Sequence, residues 1–244
     1  MPQLKKTRLG FIGIGLMGEA MTLRLLERGW PVTVWNLTAD RYARVVPAGA
    51  VRAETPAEVA TESELVLMCV LDAAAVGNCA CGEHGLASAP RSRKIVIDLS
   101  TINPDVARDV ATKLAAANGM RWIDAPVSGG PAAAREGTMT VMAGGDSSDV
   151  AEIALVMADL AANFTHVGPV GAGQTAKILN QAIVGTGYVL MAEALALAEA
   201  AGIDAARLPQ CLAGGHADSN LLRKIYRQMA ARDFDPPAPM HASC

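Results

Sequence analysis

The chain has 244 residues, 51% apolar and 18% charged, with a formal net charge of −3. That length suggests one large or two modest domains, and the composition excludes a disordered chain. The charge shows no basic field for nucleic acid, so partners must be sought in local motifs.

The N-terminal "MPQLKKTRLGFIGIGLMG" places basic residues before an apolar run, as a signal peptide does. Its glycine spacing instead leads straight into a helix and no small-residue cleavage site follows, so a soluble cytoplasmic protein is expected. Short apolar runs at 9–14, 32–36, 65–70, 95–99, 122–127 and 139–143 alternate with helical stretches. Continuous apolar strands separated by helices indicate a mainly parallel sheet covered on both faces. Thr55 to Glu58 reads as a capping box with Pro56 at the first helical position, and Asn103-Pro104 caps a helix that Gly119 ends.

Five cysteines, at 69, 79, 81, 211 and 244, do not read as a disulfide framework. Cys79, Cys81 and His84 lie close together but offer only three ligands with no second pair, so no metal is expected. In "HVGPVGAG", 166–173, four residues of eight are glycine or proline, and beyond it the pattern is helical only. The expected architecture is an α/β domain with a mainly parallel sheet over 1–167, followed by a smaller all-α domain over 168–244. One long helix is expected at 174–201 and shorter ones at 205–212 and 220–230. The uncharged stretch 178–192 is read as too short for a membrane span, and Asn180, Gln181, Gly185 and Gly187 interrupt it.

Gly13-x-Gly15-x-x-Gly18 directly follows a strand and opens a helix. Gly13 permits a tight turn, Gly15 lets backbone approach a pyrophosphate, and Gly18 allows close helix–strand packing, which points to a dinucleotide. The next strand ends at Asn36, where an acidic residue would bind the ribose 2′-hydroxyl of NAD. Asn36, Thr38 and Arg41 stand there instead, a set that tolerates a 2′-phosphate and favours NADP over NAD. Arg41 can equally begin a solvated helix.

Further stretches bear on the chemistry. "IDLST" puts Thr101 after a strand, on the edge where ligands bind in such sheets. "DAPVSGG" ends in Ser128-Gly129-Gly130, which can turn several N–H groups toward a carboxylate. "GPVGAGQTAKILNQ" carries Lys177 and Asn180, three apart and so on one helix face. A lysine near the positive end of a helix is badly placed unless its charge is suppressed, although it can also snorkel.

In this order and spacing the motifs resemble the β-hydroxyacid dehydrogenase family, which includes 3-hydroxyisobutyrate dehydrogenases and tartronate-semialdehyde and glyoxylate/succinic-semialdehyde reductases. The resemblance implies a Rossmann-type, doubly wound first domain and an all-helical second one, with hydride exchange between NAD(P) and the alcohol carbon of a short hydroxy acid or semialdehyde in a site between the two domains. It implies Lys177 as general acid/base, Asn180 orienting substrate, Ser128, Gly129 and Gly130 holding the carboxylate, and Thr101 beside the nicotinamide. Ile14, Leu16 and Met17 of the glycine turn, with Val70 and Leu71 after the 65–70 strand, join Gly13, Gly15, Gly18, Asn36, Thr38, Arg41 and Thr101 as implied cofactor contacts. Relatives continue beyond the stretch with Asp233, Phe234 and Pro236, so exposed apolar surface and a homodimer or higher oligomer are expected. The alternatives are a cofactor-binding member impaired by a shortened end, or an imine reductase, which Lys177 argues against.

Overall fold

The structure, a computed structural model, describes residues 7–233. It begins with the alternation that apolar strands and capped helices dictate. β1 (Leu9–Ile12) leads through the glycine turn into α1 (Leu16–Glu27), and β2 (Val32–Trp35) and β3 (Val51–Arg52) follow. Then come α2 (Pro56–Glu62), β4 (Leu65–Met68), α3 (Ala73–Cys81), β5 (Ile95–Asp98), α4 (Pro104–Asn118) and β6 (Arg121–Asp124). The Thr55 hydroxyl accepts from the Glu58 N–H as the predicted capping box requires, while the Glu58 carboxylate accepts from the Glu54 N–H, one residue before the cap. The Asn103 side chain caps α4, and Gly119 ends it in the left-handed region at φ 81°.

The described residues form a nine-stranded sheet in which β3, β2, β1, β4, β5 and β6 are neighbours in that order, all parallel. Every residue of β1, β4 and β5 is buried, as covering on both faces requires. The chain turns from β1 outward to β2 on one side and to β4 on the other. A crevice therefore opens at the carboxyl ends of β1 and β4, where such sheets bind ligands.

After β6 the expected single strand over 122–127 breaks. β7 (Val127–Ser128) pairs antiparallel with β8 (Met139–Gly144), which also runs antiparallel to β6, and α5 (Gly130–Glu136) lies between β7 and β8. Helices α6 (Ser147–Glu152) and α7 (Ala154–Leu160) then lead to β9 (Ala161–Gly168), parallel to β8. The sequence pattern does not reveal β9, because none of its residues is fully buried and no alternation of faces marks it.

Helix α8 (Ala172–Ala200) has 29 residues. By length and composition it could cross a membrane, which corrects the expectation drawn from the shorter uncharged stretch. The polypeptide divides within it, into compact units over 7–177 and 178–233. In the second unit Met191, Leu222 and Tyr226 form the buried cluster. The expected helix at 205–212 is a short turn, Ala205–Arg207, followed by α9 (Leu208–Cys211), and the last helical stretch contains a wide turn at Leu222–Tyr226 before α10 (Arg227–Ala230). Phe234, Pro236 and the residues after them lie outside the described residues.

Candidate active site

The glycine turn is built by exclusion. Gly13 adopts φ 93°, and a Cβ on it would lie 2.2 Å from the Cys69 carbonyl oxygen. A Cβ on Gly18 would lie 1.8 Å from the Gly13 oxygen, so helix and turn touch through backbone alone. A Cβ on Gly15 would meet nothing within 4 Å, and Gly15 begins α1 with no side-chain cap. Gly15 and Leu16 are thus exposed at a helix N-terminus, with Ile14, Met17 and Gly18 beside them, the arrangement that receives a pyrophosphate.

At the end of β2, the Asn36 Oδ1 accepts from the Ile14 N–H at 2.8 Å, and its Nδ2 donates to both the carbonyl and hydroxyl of Thr38. The amide thereby ties the glycine turn to the following loop. Leu37, Thr38 and Arg41 are exposed beside it. Val70 donates its N–H to the Ser100 hydroxyl, and Leu71 is exposed at the end of β4. These residues all belong to the carboxyl edge of the sheet.

Thr101 follows β5 on that edge and is half-buried. The residues bracketing it are held by one side chain, since Gln174 accepts from the Ile102 N–H at 3.1 Å and donates to the Ser100 carbonyl at 2.8 Å. Gln174 is wholly buried in the first turn of α8. Asp124, the last residue of β6, accepts from the Gly171 N–H at 2.7 Å and the Gln174 N–H at 2.8 Å. A carboxylate at this position satisfies N–H groups that the helix leaves unpaired and complements its positive end. Burial nevertheless pushes the Asp124 carboxyl up. Asp98 is its cross-strand neighbour, wholly buried, with Oδ2 lacking a partner. Burial, helped by the Asp124 charge, pushes Asp98 up to about 7.

Lys177 stands one turn beyond Gln174. Its Nζ donates to the Val127 carbonyl at 2.8 Å, and burial lowers its pKa below the ordinary lysine value. Val127 directly precedes Ser128, so amine and candidate carboxylate loop are brought together. Gly129 and Gly130 adopt φ 132° and 75°, so the loop turns as only glycine does without strain. Asn180 lies three residues beyond Lys177 on α8 and is half-buried. Sequence reasoning missed Asp98, Asp124 and Gln174.

A groove of about 700 Å3 lies elsewhere, beside Arg91, Arg121, Trp122 and Asp149. It opens at the amino ends of β5 and β6, the edge away from the glycine turn, so it has no part in this chemistry. Cys79 is buried, its thiol pushed up to about 11 chiefly by burial, while Cys81 and His84 are exposed. Among the described residues no three His, Cys, Asp or Glu side chains are grouped to hold a metal ion.

Residues 8–168 match the family described as the NAD binding domain of 6-phosphogluconate dehydrogenase. Residues 171–242 match the NAD-binding region of NADP-dependent 3-hydroxyisobutyrate dehydrogenase. The chain belongs to the β-hydroxyacid dehydrogenase family. Within that family it is 36% identical to the 2-hydroxy-3-oxopropionate reductase of Escherichia coli (strain K12) over 231 residues, covering 94% of this chain and 78% of the relative. It is 35% identical to a probable 3-hydroxyisobutyrate dehydrogenase-like protein of Arabidopsis thaliana, covering 94% and 76%. The solved 3-hydroxyisobutyrate dehydrogenase of Mycobacterium tuberculosis, determined with L-serine, superposes with a TM-score of 0.85 at 30% identity, covering 95% and 80%.

Proposed function

We propose that this family member transfers a hydride between NAD(P) and the alcohol or aldehyde carbon of a short β-hydroxy acid or its semialdehyde. The bound nicotinamide supplies the hydride chemistry, and the chain's own residues must manage the proton and the substrate's charge. Oxidation of an alcohol releases a proton with the hydride, and reduction needs one back. Lys177 is the group that takes and returns it, and the observation that carries this reading is its half-buried amine, held against Val127. Ser128, Gly129 and Gly130 bind the carboxylate, Asn180 orients the substrate, and Thr101 lies against the nicotinamide. Ile14, Leu16 and Met17 line the pyrophosphate turn, with Val70 and Leu71 beside the cofactor.

NADP is the favoured cofactor form. The uncharged Asn36 and exposed Arg41 support this, since a carboxylate at the end of β2 would repel a 2′-phosphate. The names of relatives support small hydroxy acids as substrates, 2-hydroxy-3-oxopropionate, 3-hydroxyisobutyrate and 2-(hydroxymethyl)glutarate among them. Exposed Ile183, Leu190 and Leu197 on α8 support association into a dimer or higher oligomer, covering an apolar surface without lipid. A membrane position would bury a charged side chain in hydrocarbon, since every 18-residue stretch of α8 contains Lys177 or Glu193. Four free thiols among the described residues fit the reducing cytoplasm.

NADH and NADPH consumption, followed with glyoxylate, succinic semialdehyde, tartronate semialdehyde and methylmalonate semialdehyde, tests the proposal. Oxidation of NADPH with at least one of them is expected. Tight cofactor binding without turnover across the panel would leave only a nucleotide-binding scaffold.

A further inference from the structure

Gln174 is buried where an apolar side chain would be the cheaper occupant, and both ends of its amide are used. A buried amide with its donor and acceptor satisfied by backbone is a geometric constraint, because any shift breaks two hydrogen bonds out of reach of water. Its two partners are Ser100 and Ile102, the residues on either side of Thr101. Its own N–H is fixed by Asp124 at the end of the neighbouring strand. Three residues later the same helix carries Lys177. The turn holding Thr101 and the helix holding the amine are therefore joined through one side chain.

We infer that Gln174 is a positioning residue: its amide locks the Thr101 turn to the start of α8 and so sets where the Lys177 amine stands on the cofactor edge of the sheet. The inference rests on the roles given above to Lys177 and Thr101. Gln174 itself touches no reacting atom. Its effect comes through orientation, where displacements of about 1 Å can cost on the order of a hundredfold in rate. Asp124 serves the same end by holding the helix N-terminus from β6. Asp98 makes no direct bond to α8; its Oδ1 accepts from the Ser100 N–H, at the far end of the same turn.

The test uses the full chain with Gln174→Met, which keeps the volume and removes both hydrogen bonds, and with Gln174→Leu, a second neutral replacement that removes both. Two readouts are taken. One is kcat and KM for NADPH with the best substrate of the panel. The other needs no turnover: the pH midpoint of Lys177 acetylation in trace labelling, read by peptide mass spectrometry. Lys94, which donates to the Ala60 carbonyl in the same unit, serves as the internal standard.

For Gln174→Met, kcat is expected to fall about tenfold or more while KM for NADPH stays within about twofold. The Lys177 midpoint should rise about half a unit or more toward an ordinary lysine as the amine gains water, with Lys94 unmoved. Gln174→Leu should show the same two changes, and it carries the test if the methionine variant does not fold. A merely structural glutamine would lower the melting temperature while kcat and the Lys177 midpoint stayed at wild type, and that result overturns the inference. If the wild-type protein turns over nothing, the hydride-transfer reading fails separately and the labelling midpoint alone decides: a rise supports the clamp, no change overturns it.

Discussion

The Nζ of Lys177 donates to the backbone carbonyl of Val127 at 2.8 Å, one residue before Ser128. This contact holds the amine beside the loop proposed to receive a carboxylate, and it does so without a compensating anion. Burial alone accounts for the lowered pKa. A carboxylate partner would have raised it and kept the amine charged, which would disable it as a base.

Opposite pH limbs follow for the two directions of reaction. Reduction needs Lys177 protonated, so its rate should fall as pH rises through the lowered pKa, below the ordinary 10.5. Oxidation needs the free amine and should rise through the same value. Lys177→Met should remove both limbs and cost roughly 10²–10⁴-fold in kcat, with cofactor affinity within a few fold. Full pH–rate profiles in both directions check this, and a variant that keeps its rate refutes the acid/base role.

The two inner glycines of the turn should fail in different ways. An alanine Cβ at 18 would collide with the Gly13 carbonyl, which is backbone and cannot yield cheaply. Gly18→Ala should therefore unfold at a clearly lower temperature. Alanine at 15 meets open space, so Gly15→Ala should melt near wild type yet bind NADPH at least tenfold more weakly, because its methyl occupies the approach of the pyrophosphate. Thermal unfolding without cofactor, beside calorimetric titration with NADPH, separates the two.

What was legible in the sequence is what short-range chemistry writes. Gly13, Gly15 and Gly18 act within one turn, Thr55 and Glu58 within one cap, and Lys177 and Asn180 within one helix face. Asp124 and Gln174 carry no such local mark. Their hydrogen bonds join residues 47 to 74 positions apart, and the residue types alone would equally suit a surface turn and a polar helix start. The broken strand at Val127–Ser128 was hidden for a related reason. The run 122–127 is apolar but for Asp124, and pairing with β8, further along the chain, shows where it divides.

Cofactor choice should turn on the end of β2. The Asn36 Oδ1 already holds the Ile14 N–H, and a carboxylate oxygen in its place can keep that bond while offering its charge to a ribose hydroxyl. Asn36→Asp should shift the ratio of kcat/KM toward NADH by about tenfold or more, corresponding to about 1.4 kcal/mol. Arg41→Ala should weaken NADPH and leave NADH within a few fold. If Arg41→Ala affects both cofactors equally, the arginine only begins the solvated turn in which it stands.

Asp98 should govern part of the protein's stability against pH. Its carboxyl is wholly buried, one oxygen has no partner, and its pKa is pushed up to about 7, against about 3.9 for an exposed aspartate. Between those values the folded chain holds a proton that the unfolded chain has released, so stability falls as pH rises from about 4 to about 7 and levels off above. Asp124, shifted in the same direction, adds a slope of the same sign. Asp98→Asn keeps an oxygen for the Ser100 N–H and removes the ionisation. Its melting temperature should exceed wild type by several degrees at pH 8, and the gap should close as pH approaches 4. Calorimetric scans at pH 4.5, 6 and 8 decide the matter: a gap independent of pH would mean that this carboxyl is charged throughout, with a partner satisfying its second oxygen.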